Sequence, residues 1–269
     1  MKAGNTPLVQ IECFEGIERD MRVRVKDESA NPLHTHKDRR SALIVQKALE
    51  QGADTLAIIT AGNAGYSLAR FAEGTGLRIV TMIDRKLRPS IRAMLESASA
   101  EIKEADLSER EFASTEIVQA ARQSARERIW DVSNGFEEAY EGILHEIAAN
   151  APQIIIAPVG SGELLLGLHR GIQRHGLHTR LLGVGVSSSN SKADKLYATY
   201  LPAKAKIEAL LREGHNFVQL TEDEVEWSIQ HVPTGIAAEP SAAVIFSALR
   251  KVKSDVDDVV VINTGKGLS

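Results

Sequence analysis

Residues 26–40, Lys26-Asp27-Glu28-Ser29-Ala30-Asn31-Pro32-Leu33-His34-Thr35-His36-Lys37-Asp38-Arg39-Arg40, place a lysine between a loop and a helix. Pro32 and the residue before it favour extended or turn backbone, and the apolar spacing of 41–50 predicts a helix that Gly52 ends. We expect first-turn amides and partial burial to lower the pKa of the Lys37 amine, which favours attack on a carbonyl and a Schiff base. The alternative for this segment is a solvated charge cluster, because charged residues follow the lysine directly.

The composition of this 269-residue chain is that of an ordinary globular protein, with 43% hydrophobic and 25% charged residues. Its net charge of −4 gives no electrostatic case for a nucleic acid or an anionic membrane as partner. There is no apolar run of about 18 residues and no signal-like amino terminus. The single cysteine, Cys13, excludes an intrachain disulfide and is expected to be a packing residue. We therefore expect a cytoplasmic protein.

Predicted strands alternate with predicted helices along the chain, which indicates an α/β fold with helix-covered, mostly parallel sheets. The strands are predicted at 8–12, 21–26, 55–60, 77–83, 129–132, 154–158, 181–186 and 259–263, the first two as a hairpin. The helices are predicted at 41–50, 61–71, 90–97, 108–126, 137–149, 164–174, 205–212, 222–231 and 238–252. Because no linker rich in glycine, proline or serine divides the chain, we expect any two lobes to be connected more than once.

Three glycine-containing turns, at 62–65, 160–162 and 265–267, directly follow predicted strands. Ligands of open α/β sheets bind at the carboxyl ends of strands, where these turns would lie. Residues 160–162 are the best anion site because their amides would converge at a helix amino terminus. They match neither the P-loop nor the dinucleotide motif, and a tight turn without a ligand is the alternative. No histidine pattern has metal-ligand spacing, so we predict no metal site.

The order of several short motifs resembles that of pyridoxal-phosphate enzymes of fold type II, the tryptophan synthase β-subunit family, and within it most of all threonine synthases. The motifs are Gly4-Asn5-Thr6-Pro7-Leu8, Lys26 to Pro32 with Lys37-Asp38-Arg39, Ala61-Gly62-Asn63-Ala64-Gly65, Pro158-Val159-Gly160-Ser161-Gly162, Glu239-Pro240-Ser241-Ala242-Ala243 and Thr264-Gly265-Lys266-Gly267. Together they extend over nearly the whole chain. The resemblance implies two lobes with the cofactor pyridoxal 5′-phosphate in the cleft between them. It assigns 41–131 to a smaller lobe, and 1–40 with 132–269 to a larger, cofactor-binding lobe; a homodimer is the assembly considered.

The resemblance also implies a role for individual residues. Lys37 would carry the cofactor as a Schiff base and later move the substrate's α-proton, and Asn63 would hydrogen-bond the cofactor's 3′-oxygen. Thr264 would face the ring nitrogen as a neutral partner, which suits elimination and replacement reactions. The cofactor phosphate would be held by Gly160, Ser161 and Gly162. The substrate carboxylate would be held by Thr60, Ala61 and Gly62.

The implied reaction is that of a lyase or synthase of amino-acid metabolism, acting on a small amino acid with a leaving group at the β or γ carbon. Threonine-synthase-like conversion of O-phosphohomoserine to threonine and phosphate comes first. Its second phosphate would need cations, and the candidates are Arg39, Arg40, Arg85, Arg88 and Lys266. Cysteine-synthase-like and serine/threonine deaminase-like β-elimination or replacement are the runners-up.

Departures from the family pattern keep two further alternatives open. His36 stands where an aromatic residue usually precedes the lysine, Lys266 stands where the last loop often has histidine, and Glu163 adds a carboxylate beside 160–162. These departures motivate a non-catalytic homologue that retains the fold. A nucleotide-binding α/β protein, whose glycine turns hold phosphates, is the remaining alternative.

Overall fold

The computed structural model describes residues 1–12, 21–98, 100–107, 110–197, 201 and 203–267. Cys13 therefore lies outside the described residues. The chain folds into two compact units: the smaller contains residues 1–3 and 37–136, and the larger contains residues 4–36 and 137–267. The lobe bounds drawn from the sequence, 41–131 for the smaller lobe and 1–40 with 132–269 for the larger, stay a prediction.

Within the described residues, strands and helices alternate as the sequence predicts. In chain order they are β1 (Leu8–Ile11), β2 (Arg22–Asp27), α1 (Lys37–Gln51), β3 (Thr55–Ile59), α2 (Asn63–Ala72), β4 (Arg78–Asp84), α3 (Pro89–Ser97), β5 (Glu101–Ala105), α4 (Ser114–Ala121), β6 (Ile129–Asp131), α5 (Glu141–Ile147), β7 (Ile154–Pro158), α6 (Glu163–Arg174), β8 (Arg180–Val186), α7 (Lys204–Arg212), β9 (Asn216–Leu220), α8 (Glu222–Gln230), α9 (Pro240–Ala243), α10 (Ile245–Leu249) and β10 (Asp258–Asn263). Short 3-10 turns, including Glu137–Tyr140 before α5, connect some of them.

The smaller unit contains a four-stranded sheet in the order β5-β4-β3-β6, and every pairing in it is parallel. Successive residues of β3 enter different cores: Leu56 and Ile58 pack with side chains of α1 and α2, whereas Ala57 packs with Ile117 of α4. A parallel sheet covered on both faces needs such continuous apolar strands, which is why β3 was readable from the sequence.

The larger unit contains a six-stranded sheet in the order β1-β2-β10-β7-β8-β9. The predicted hairpin is confirmed, because β1 pairs antiparallel with β2, and the other neighbours are parallel. Val259 and Val261 of β10 lie in one hydrophobic core, and Val260 and Ile262 lie in the other. The α/β class with helix-covered, mostly parallel sheets is therefore confirmed. In the described part of the chain no helix is both long and apolar enough to cross a bilayer.

Several predicted element bounds are wrong. The sequence analysis missed β5 and β9, which are edge strands with partly exposed residues and so lack a continuous apolar run. The helix predicted at 108–126 is the shorter α4, because Arg122 adopts extended backbone; residues 108 and 109 lie outside the described part. The helix predicted at 238–252 is divided between α9 and α10.

Candidate functional site

The lysine singled out by the sequence begins a helix, as predicted: α1 starts at Lys37, which is half-buried. The residues just before it are hydrogen-bonded to the loop that follows β10. Thr35 forms a β-bridge with Gly265, and the backbone N–H of His36 donates to the Thr264 carbonyl oxygen at 2.9 Å. The backbone preceding Lys37 is thereby fixed to residues 264–267, which we call the 264–267 loop.

The His36 ring adds a second hydrogen bond to the same carbonyl. Its Nδ1 lies 3.0 Å from the Thr264 oxygen, and because a carbonyl oxygen only accepts, Nδ1 carries the proton. The ring also packs against the Tyr140 ring, with 5.5 Å between centroids. His36 thus packs against an aromatic ring and adds a polar bond, and sequence reasoning foresaw neither contact.

Buried polar groups hold the first turn of α1 against α2. The Ser67 hydroxyl on α2 donates to Asp38 Oδ1 at 2.7 Å and lies 2.8 Å from the Ser41 hydroxyl. Asp38, Ser41 and Ser67 are all buried. Since Lys37 begins α1 and Asn63 begins α2, these bonds fix the two helix starts that carry the predicted lysine and asparagine.

The turn from β3 into α2 is organised around a threonine hydroxyl. Buried Thr60 accepts hydrogen bonds at Oγ1 from the backbone N–H groups of Gly62 at 3.0 Å and Gly65 at 3.1 Å. With both lone pairs used, the hydroxyl hydrogen remains to donate. The Gly62 amide donates inside the turn, so its role towards a substrate carboxylate stays a prediction; Ala61 is exposed.

Residues 160–162, which we call the 160–162 loop, connect β7 to α6. Gly162 caps α6 with φ +89°, without a side-chain cap bond to the first-turn amides. A Cβ on Gly162 would lie 2.7 Å from Ile207 Cδ1, and one on Gly160 would lie 3.0 Å from the Lys195 carbonyl oxygen. The loop therefore needs glycine for both backbone conformation and space, and it presents amides at the start of a helix. Glu163 behind it is buried.

The 264–267 loop is held by polar contacts to its own strand and to β2. The Gly265 N–H donates to Asn263 Oδ1 at 3.3 Å, and Asn263 Nδ2 donates to Asp27 Oδ1 at 2.8 Å. Thr264 is buried, and a Cβ on Gly265, whose φ is +149°, would lie 2.5 Å from the His34 carbonyl oxygen. These contacts fix the backbone next to Thr264.

The cations proposed for a substrate phosphate differ in burial. Arg40 is buried, donates from Nη2 to the Val132 carbonyl and lies over the Phe136 ring at 5.2 Å. Arg39 is also buried. The remaining candidates are exposed, namely Arg85, Arg88 and Lys266.

A cluster that no sequence motif predicts lies on α6 and between α7 and β9. The ligand atoms of His169, Glu213 and His215 lie within 4.8 Å of one another. His169 Nε2 is 3.0 Å from Glu213 Oε2, and the Leu181 N–H donates to His215 Nδ1 at 3.1 Å. Since Nδ1 accepts, the neutral His215 ring carries its proton on Nε2 and has no second lone pair to offer a metal. Hydrogen bonds account for this cluster.

Burial lowers the pKa of His215, and the nearby His169 ring lowers it further, whereas Glu213 acts in the opposite direction. An unfolded histidine titrates near pH 6.5. Below about this pH, His215 therefore becomes protonated in the unfolded chain while it is still neutral in the folded protein. We therefore expect the stability that neutral His215 contributes to be complete above this pH and to be lost as the pH falls through the lower, folded pKa. Thermal midpoints of the native protein and His215→Asn, measured from pH 8 to pH 5, test this.

Asparagine suits the comparison because its Oδ1 can still accept from the Leu181 N–H without titrating. The midpoint of the native protein minus that of the variant should be constant at high pH. This difference should fall under acid conditions, because only the native protein loses the contribution of neutral His215. A difference that stays constant throughout would contradict the lowered pKa.

Over nearly its whole length the chain is similar to proteins of one family. The family model described as pyridoxal-phosphate dependent enzyme matches residues 1–265. Among curated proteins, N-(2-amino-2-carboxyethyl)-L-glutamate synthase of Cupriavidus metallidurans is 29% identical over 201 residues, which cover 69% of this chain and 59% of the relative. The chain thus matches less than two thirds of that relative's length. Threonine synthase of Halalkalibacterium halodurans is 24% identical, with 98% of this chain and 82% of the relative covered.

Solved structures share the fold at lower sequence identity. An aspartate racemase dependent on pyridoxal 5′-phosphate has a TM-score of 0.82 and 14% identity, with 98% of this chain and 91% of that chain covered. The O-acetylserine dependent cystathionine beta-synthase of Helicobacter pylori also has a TM-score of 0.82, with 18% identity and coverage of 97% and 92%. At these identities the likeness establishes the type II fold and not the reaction.

Proposed function

Since the chain belongs to the family of pyridoxal-phosphate dependent enzymes, we propose that it catalyses elimination or replacement on a small amino acid, with O-phosphohomoserine and water as substrates and threonine and phosphate as products. The observation that carries the proposal is the bonding of the 34–36 backbone to the 264–267 loop, through the Thr35–Gly265 bridge and the His36–Thr264 hydrogen bond. It ties the residue before Lys37 to the loop that presents Thr264. A lysine and a neutral hydroxyl partner are what this chemistry needs.

The residues present fit the cofactor, pyridoxal 5′-phosphate. The first-turn amides of α6 have no side-chain cap, and the 160–162 loop lacks the Cβ atoms that would crowd its neighbours, which leaves a backbone site suited to a phosphate group. Gly160, Ser161 and Gly162 would hold that phosphate. Thr264 would support the ring nitrogen, Asn63 would donate to the 3′-oxygen, and Lys37 would hold the cofactor through its amine.

When bound, the cofactor withdraws electrons from the substrate's α-carbon and makes its proton acidic. The Lys37 amine is then the base that takes this proton from the α-carbon and returns it, because it lies at a helix start and the His36 hydrogen bond restrains the backbone just before it. The Thr60 hydroxyl, whose oxygen already accepts from two amides, donates its hydrogen to the substrate carboxylate. Thr60 thereby orients the substrate, with Ala61 and Gly62 forming the turn beside it.

The neutral character of Thr264 favours elimination and replacement over reactions that store a full negative charge in the ring. A hydroxyl, unlike a carboxylate, does not force the ring nitrogen to hold a proton. The coverage of 98% of this chain by a threonine synthase supports the choice within that class. We place the activity in the cytoplasm, where free amino acids are available as substrates.

A second candidate is replacement at the β-carbon of a serine derivative. The name of the Cupriavidus metallidurans relative describes a product with an amino-carboxyethyl group on glutamate, and the Helicobacter pylori protein is described as O-acetylserine dependent. This reaction needs no site for a second phosphate.

We expect the cofactor-loaded protein to release phosphate and threonine from O-phosphohomoserine. This substrate has a leaving group at its γ-carbon, and the Lys37 amine and the neutral Thr264 hydroxyl suit its elimination. The assay offers O-phosphohomoserine, O-acetylserine with sulfide, serine and threonine in parallel, with colorimetric phosphate detection and chromatographic amino-acid analysis. The native protein without added cofactor, treated with hydroxylamine to remove any that remains, is the control.

Each outcome separates the candidates. Turnover of O-acetylserine or serine, but not of O-phosphohomoserine, assigns the protein to the β-carbon reactions. Turnover of none, although borohydride removes a visible absorbance band from the loaded protein, assigns it to the non-catalytic homologues. Absence of such a band contradicts the lysine-bound cofactor itself.

A further inference from the structure

An ion pair connects two segments of the larger unit that lie far apart in the sequence. Lys195, in the 3-10 turn Asp194–Leu196, forms a salt bridge through Nζ with the Glu239 carboxylate. Only 23% of the lysine side chain and 13% of the glutamate side chain are exposed. Because both charges are largely removed from water, losing either partner leaves the other poorly solvated.

The lysine end of this pair lies against the 160–162 loop. The Lys195 carbonyl oxygen is so close to Gly160 that a Cβ there would approach it to 3.0 Å. The turn that carries Lys195 therefore supports the back of this loop, and a movement of Lys195 has to move the loop or open a gap behind it.

The glutamate end of the pair lies against the 264–267 loop. The Glu239 N–H donates to the Gly265 carbonyl oxygen at 2.9 Å, and a Cβ on Gly267 would lie 2.9 Å from Glu239 Oε2 and 3.0 Å from Glu239 Cβ. Glu239 also precedes Pro240, the first residue of α9, so its backbone is restrained from both sides.

We propose that the Lys195–Glu239 ion pair is a positioning device that fixes the 160–162 loop and the 264–267 loop relative to each other, so that both ends of pyridoxal 5′-phosphate fit at once. This inference rests on the proposed cofactor-binding role of the two loops. A short arm joins the flat ring of the cofactor to its phosphate, so ring and phosphate can be bound together only if the separation of the two loops stays within a narrow range. Neither side chain needs to touch the cofactor for the pair to act.

The test uses Lys195→Met, Glu239→Gln and the charge swap Lys195→Glu with Glu239→Lys, in the full chain. Apo-protein is titrated with pyridoxal 5′-phosphate to obtain its dissociation constant. Each single variant should bind about tenfold more weakly, as expected for a lost bond between charged groups. The double variant Lys195→Met/Glu239→Gln should be no weaker than either single variant, because both remove one interaction, and the charge swap should recover part of the affinity.

The sign of the Glu239→Gln effect separates positioning from simple attraction of the phosphate by Lys195. If Lys195 acted only as a cation for the phosphate, neutralising Glu239 would strengthen its field and tighten binding. Tighter binding by Glu239→Gln would therefore overturn the proposal.

Spectra of the bound cofactor give a readout that a merely structural role would not change. Lys195→Met changes a residue beside the 160–162 loop, at the phosphate end, and should nevertheless shift the visible absorbance band of the ring. Glu239→Gln changes a residue beside the 264–267 loop, at the ring end, and should nevertheless shift the phosphorus-31 resonance of the phosphate. Effects confined to the nearer end of the cofactor would contradict a link between the loops.

Lys251→Met is the matched control, since Lys251 pairs with Glu224 in the same unit. The inference is wrong, while the proposed function stands, if all variants bind the cofactor as tightly as the native protein does. It is also wrong if the pair variants lose no more cofactor affinity than Lys251→Met does for the same loss of apo-protein stability. If the native protein binds no cofactor, the proposed function and this inference both fail.

Discussion

Replacing Lys37 by alanine is expected to abolish covalent attachment of pyridoxal 5′-phosphate and to lower turnover by about 10²–10⁴-fold, the typical effect of removing a positioned acid or base. The physical reason is that Lys37 begins α1 directly after His36, whose N–H is bonded to the Thr264 carbonyl. The measurement is borohydride reduction of the loaded protein followed by peptide mapping, together with the substrate assay.

Folding should be unaffected by this change, because Lys37 is only half-buried and α1 continues over fifteen residues with its apolar side chains intact. Lys47→Ala, in the same helix, is the control and should keep both the label and the activity. Recovery of the label on Lys26, Lys47 or Lys266 in the native protein would contradict the assignment of Lys37.

Replacing Gly162 by alanine is expected to weaken cofactor binding and to destabilise the protein. The new Cβ would lie 2.7 Å from Ile207 Cδ1 and 2.9 Å from Ala203 Cβ, in a backbone conformation with φ +89°. Crowding of this kind costs about 1–3 kcal/mol, and left-handed backbone adds about 1–2 kcal/mol for a residue with a Cβ. Denaturant unfolding and cofactor titration of the same preparation measure the two effects.

Gly176→Ala provides the matched control just beyond the other end of α6. Gly176 also has positive φ, at +61°, but a Cβ there would meet nothing within 4 Å. The Gly176→Ala variant should therefore lose stability through its backbone conformation but not through crowding, and its affinity for the cofactor should be unchanged. Equal losses in the two variants would show that the space around Gly162 is not what the 160–162 loop requires.

Much of the fold was predictable because its signals are local. The buried strands β3, β7 and β10 are continuous apolar runs, and each is followed by a glycine turn that the sequence displays directly. The start of α1 at Lys37 followed from Pro32 and the apolar spacing after it. The edge strands β5 and β9 were missed because exposure on one side lets charged residues replace apolar ones.

The sequence by itself determined the α/β class, the glycine turns after strands and the lysine at a helix start, since neighbouring residues alone set backbone conformation and the apolar period. Tertiary structure decided which distant residues meet: His36 with Thr264, Lys195 with Glu239, and His169 with Glu213 and His215. It also decided that Arg40 is buried against Val132 and Phe136. Contacts between residues far apart in the chain depend on sheet order and helix packing, which no local pattern encodes.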